Sequence, residues 1–128
     1  LLLNFGWLAM RSNVSAEIVC VFEHAGTSVD AQRFIMTRIR NVAGADRVGF
    51  NSIRIIRWCN PETNEPRQFT HSDGKQYFRY SAQFSVGFTI EGGYAEAQQW
   101  IVDRLNEDES TSYMNVQSVT MSVAPVAV

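Results

Sequence analysis

Residues 78–90 constrain the fold more than any other part of the chain. Phe78, Tyr80, Ala82, Phe84, Val86, Phe88 and Ile90 take every second position, with Arg79, Ser81, Gln83, Ser85, Gly87 and Thr89 between them. A side-chain period of two puts one set on each face of an extended strand, and the 3.6-residue period of a helix cannot separate them. The chain must therefore build a sheet with one apolar face, and other elements must cover it. At roughly 3.3 Å per residue this run extends ~43 Å, whereas a compact chain of this length is only about 35 Å across. Three outcomes stay open: the strand bends, at Gly87 for instance; it wraps one core as a long twisted strand; or it projects as a hairpin that pairs with a neighbouring subunit.

The remaining elements follow from pattern and punctuation. The chain has 128 residues, 45% of them apolar and 19% charged, which suits one packed domain over residues 1–128 and excludes a wholly disordered chain, a collagen or a coiled coil. The apolar start, residues 1–10, reads as an N-terminal helix. Residues 17–22 read as a strand buried on both faces, residues 32–42 as a second strand because their C-terminal half nearly alternates, and residues 50–58 as a third. Residues 44–49 read as a connection. Residues 59–77 hold Asn60-Pro61, Glu65-Pro66 and Asp73-Gly74, so they form a loop or the distal end of a long hairpin. Loops of this length are uncommon unless they bind something, which makes this one the first candidate for an assembly contact. After the turn at Gly92-Gly93, residues 94–105 have good helix formers, with Tyr94, Ala97, Ile101 and Leu105 on one arc. Glu107, Asp108 and Glu109 oppose the macrodipole and predict fraying at the end of that helix. Residues 116–123 close the chain as a further strand, which Pro125 ends at a sheet edge. The expected class is α+β: a mixed, mainly antiparallel twisted sheet with a long β-hairpin, packed by one helix from the C-terminal half and by the N-terminal helix.

Charge and cysteine usage remove several functions. A net charge of −2 and a pI near 5.6 argue against general nucleic-acid affinity, although ten of the 11 cations are Arg. No apolar run reaches the length of a membrane span, and the start lacks the basic region and cleavage pattern of a secretory leader. Cys20 and Cys59 lie in strand-like apolar contexts and read as buried free thiols. With His24 and His71 they could supply two-cysteine, two-histidine ligation, but the close Cys pair of a structural zinc site is missing, so no metal is expected. There is no phosphate loop, nucleophile elbow or paired-Cys motif, and the two histidines are isolated. The chain is expected not to be an enzyme and to hold no cofactor. Arg38, Arg40, Arg54, Arg57 and Arg79 fall on predicted strands, where they either solvate a sheet face or pair with carboxylates across a subunit interface.

The order of these elements carries a resemblance. Arg38-Ile39-Arg40-Asn41-Val42, then Val48-Gly49-Phe50-Asn51-Ser52-Ile53-Arg54, a polar loop with prolines, the strand from Arg79 through Val86, and a helix from Ala95 to Leu105 resemble the bacteriophage neck or tail terminator (tail-completion) family over roughly residues 32–106. The resemblance implies a virion structural protein of the neck/tail junction, assembled in the host cytoplasm. Such a subunit forms a homo-oligomeric ring, commonly a hexamer, that caps the tail tube and joins it to the head–tail connector, with DNA passing through. Candidate interface residues are Arg54, Arg57 and Arg79 on strands, together with Pro61, Glu62, Glu65, Pro66, Arg67, His71, Asp73 and Lys75 in the loop. The alternative is a small dimeric α+β enzyme or ligand-binding domain, with a pocket between the helix and Phe78, Tyr80, Phe84 and Phe88. Those aromatics line a cavity in the alternative and fill a core in an assembly subunit.

Overall fold

A computed structural model describes residues 10–40, 44–106 and 113–126. Strand β1 (Arg11–His24) leads to helix α1 (Ser28–Arg40), strand β2 (Ala45–Arg57), the short strand β3 (Gln68–Thr70), strand β4 (Gln76–Glu91), helix α2 (Tyr94–Asn106) and strand β5 (Asn115–Pro125). The sheet order is β2-β4-β1-β5, with β3 also on β4, and every paired ladder is antiparallel. Leaving aside β3, this is the β-α-β-β-α-β arrangement of ferredoxin-like folds, in which each helix joins two strands that are not neighbours. The α+β expectation holds, with a sheet that is wholly antiparallel rather than mixed. The expected helix over residues 1–10 and the fraying at residues 107–109 lie outside the described residues, apart from Met10.

The alternating ribbon becomes β4, and it does not project. β1 pairs with it from Arg11 opposite Glu91 to His24 opposite Phe78, while β2 takes its other edge from Ile90 to Tyr80 and β3 continues that edge to Gln76. Both edges of β4 are thus consumed within one chain, and the sheet is as long as the strand. The β2–β4 ladder is irregular between Asp46 and Gly49 and between Phe50 and Ser52, on either side of the Gly49–Gly87 pair, and the β1–β5 ladder between Val19 and Cys20.

Alternation and register together build the core. Phe22 lies opposite Tyr80, Cys20 opposite Ala82, Ile18 opposite Phe84, Ala16 opposite Val86 and Val14 opposite Phe88, so the buried rows of β1 and β4 face the same way. Ile53 and Ile55 of β2 and Val119, Met121 and Val123 of β5 extend these rows. Ala31, Ile35 and Ile39 of α1 and Ala97, Trp100, Ile101 and Leu105 of α2 cover them.

Residues 32–42, expected as a strand, belong to α1 as far as Arg40. Thr27 and Asp30 explain why: the Asp30 carboxylate accepts from the Thr27 N–H at 3.0 Å and from its hydroxyl at 2.9 Å, and the Asp30 N–H donates to Thr27 Oγ1 at 3.3 Å. This reciprocal cap satisfies N–H groups that a helix start leaves open. Ala31, Ile35 and Ile39 then repeat every four residues, and that buried stripe overrides the short alternation read from the C-terminal half. Arg38 and Arg40 are accordingly helical and not on a sheet face. At the second helix start Gly92 has φ +103, and a Cβ there would lie 2.6 Å from Glu96 Cγ.

Candidate assembly surface

Both helices pack on one face of the sheet, and no other described element covers the opposite face. It carries Asn13, Ser15, Glu17, Val19 and Val21 from β1, Ser81, Gln83 and Ser85 from β4, Ser52, Arg54 and Ile56 from β2, and Ser118, Thr120 and Ser122 from β5. Hydroxyls and amides dominate; Ile56, at 48% exposure, is the large apolar exception. A shallow depression in this face is lined by Glu17, Ser52, Arg54, Gln83 and Ser85 among others.

At one end of this face the residues from Trp58 to Tyr77 fold into two turns, the distal end of a hairpin. The Trp58 N–H donates to the Arg79 carbonyl at 2.8 Å, the Arg67 N–H to the Trp58 carbonyl at 3.0 Å, and Cys59 bridges Pro66. Asn60 and Glu65 close the first turn, with Asn64 at φ 58, and His71 and Lys75 close the second around Gly74 at φ +80.

This end is anchored by a carboxylate. Glu23, in the outer phase of β1 yet only 7% exposed, holds the His71 ring nitrogen Nε2 with one oxygen and the Arg79 guanidinium at 2.9 Å with the other. His71 stacks on Tyr77 at 3.8 Å and meets the edge of Tyr113 at 4.3 Å, while its buried Nδ1 has no hydrogen-bond partner among the described residues. Arg79 lies over the rings of Phe69 at 4.1 Å and Trp58 at 5.1 Å, and the Trp58 indole N–H donates to Ser81. Tyr77 donates to Asp73 at 2.7 Å; that bond holds the Asp73 carboxyl below its ordinary range and raises the tyrosine. A cavity of about 320 Å³ opens beside Glu23, between Trp58, Arg79, Tyr113 and the amides of Asn115 and Gln117.

The eleven expected interface residues therefore separate. Arg54 stands exposed on the open face, and Pro61, Glu62, Glu65, Pro66, Arg67, Asp73 and Lys75 are exposed on the distal turns. His71 and Arg79 are engaged inside their own chain by Glu23. Arg57 points to the helix side, where it donates to the Tyr80 hydroxyl at 2.8 Å and lies over Phe78, and Tyr80 in turn donates to the Gly26 carbonyl at 2.6 Å. Glu23, Trp58, Phe69, Tyr77 and Tyr113 were missed, because only the β1–β4 register places Glu23 opposite Arg79. Of the thiols, Cys20 is buried, as expected, while Cys59 is exposed at the bridge to Pro66, where the strand leaves β4. Among the described residues no three His, Cys, Asp or Glu side chains gather to hold a metal ion, and no helix is long and apolar enough to cross a membrane.

In comparison with known proteins, no family model and no curated protein matches this chain.

Proposed function

We propose that the chain is a virion structural subunit, a tail terminator that assembles as a hexameric ring capping a phage tail tube at its junction with the head connector.

 

The observation that carries this is the fate of the aromatic ribbon. Tyr80, Phe84 and Phe88 are buried in the core, with Phe88 against Trp100 at 4.6 Å and Phe84 against Phe50 at 5.7 Å, so the helix side of the sheet is filled rather than hollow. In a ligand-binding domain built on the same ribbon these rings would be spread round a cavity. The large surface that remains among the described residues is the open sheet face, rich in Ser, Thr, Asn and Gln and bordered by strands that have a described partner on one side only. A neutral hydroxyl face of this kind suits the wall of a passage for DNA, because it offers few cations to grip phosphates. The function is then surface complementarity: one side of the ring meets the tube, the other the connector, and tube growth stops for want of a further docking surface.

Mass measurement and negative-stain imaging at micromolar concentration test this. Rings with a central opening that bind the ends of tail tubes are the expected result. A compact monomer that neither closes into rings nor binds tubes overturns it.

A further inference from the structure

The outer edge of β5 is the least protected part of the sheet. Among the described residues β5 pairs with β1 and with no other strand, and no charged residue follows Glu109 in the sequence, so β5 itself carries none of the lysines or inward charges that normally keep an exposed strand from pairing; Pro125 comes only at its end. Beside it runs a groove of about 410 Å³, walled by residues 114–119 on one side and by Gln98, Val102 and Asn106 of α2 on the other, none of these described residues being charged. An edge strand flanked by a helix is a seat for an added strand.

We infer that this groove receives β2 of a second copy, joined head to tail. The inference deepens the ring reading and rests on it. Its first support is direction. β2, β4, β1 and β5 alternate in sense, so β2 and β5 run oppositely, and a second copy in the same orientation brings its β2 antiparallel to β5. The second is level. Arg54 lies opposite Gln83, Gln83 opposite Val19, and Val19 opposite Ser118, so these four stand in one row across the sheet. The grooved part of β5 thus lies level with residues 53–57 of β2, the part beyond its two irregularities, which also carries the exposed Ile56. Charge is the third. Arg54 and Glu17 have no ion-pair partner among the described residues, and Glu17 lies opposite Thr120. Glu17 is two strands from Arg54 of its own chain, across Ser85 and Gln83, and two strand spacings, about 10 Å, would likewise separate it from the neighbour's Arg54 across Ser118 and Thr120, so each carboxylate would stand between two guanidinium groups. Pairing β5 with β5 of a second copy would leave Ile56 and Arg54 unmatched.

Disulfide trapping decides the matter in the full chain carrying Cys59→Ser. Ser118→Cys combined with Arg54→Cys should oxidise to a ladder of covalent multimers ending in a closed ring, and Ser118→Cys alone should give none. Rings that form while Ser118→Cys fails to link to cysteine at 52, 54 or 56 overturn the inference and leave the ring reading standing. Covalent dimers of the single Ser118→Cys variant overturn it in favour of β5–β5 pairing. A chain that stays monomeric overturns both. Charge exchange gives an independent check: Ser118→Lys should abolish rings without lowering the Tm, and adding Arg54→Glu should restore them; rings unaffected by Ser118→Lys overturn the inference.

Discussion

The two cysteines have different surroundings, and their chemistry differs accordingly. Burial pushes the Cys20 thiol up to about 12, which leaves it without reactive thiolate at neutral pH, while Cys59 is exposed. A maleimide at pH 7 should label one thiol per native chain, at Cys59, and two after denaturation; prompt labelling of Cys20 in the native chain would contradict its burial. His24 provides a pH dependence. Burial holds its pKa below 6.5, against a weaker opposing pull from Asp30, and Nδ1 accepts a bond from the Gly26 N–H at 3.0 Å, which requires that nitrogen to be unprotonated. The folded chain therefore favours the neutral ring. The stability it lends is complete above about pH 6.5 and is lost as pH falls from there to the folded pKa. An NMR titration should place the His24 midpoint below 6.5, and a midpoint at or above that value would refute the assignment.

Among the elements, β3 and the distal turns depend on one residue outside them. Glu23 is the buried acceptor for both His71 and Arg79, so Glu23→Ala should cost about 2 kcal/mol and raise hydrogen exchange at residues 68–78 more than in α2. Equal acceleration in both would mean that Glu23 stabilises the sheet as a whole. Element type was legible wherever a pattern ran long: β4 and α2 follow directly from thirteen alternating residues and from one apolar arc. α1 was not, because its buried stripe of Ala31, Ile35 and Ile39 is interleaved with Phe34 and Met36, and the alternation this produces resembles a strand. The Thr27–Asp30 cap was the local signal that distinguishes the two.

At the scale of the molecule the core is a single layer between one sheet face and two helices. Phe84 sits at its centre, 1% exposed and opposite Ile18 and Ile53. Phe84→Ala should cost about 3–5 kcal/mol, read as a lowered midpoint in urea. A cost below about 1 kcal/mol would mean that the aromatic ribbon lines space rather than filling it. The alternation of residues 78–90 by itself determined that a sheet with one apolar face exists, and the helix formers of residues 94–105 that a helix follows it, because period and propensity are local properties of the chain. Whether that strand lies inside or projects, which side of the sheet Arg57 takes, and that Glu23 gathers His71 and Arg79 were decided only by tertiary structure. The physical reason is register: pairing brings together residues more than forty positions apart, and no spacing within either segment records which residue will stand opposite which.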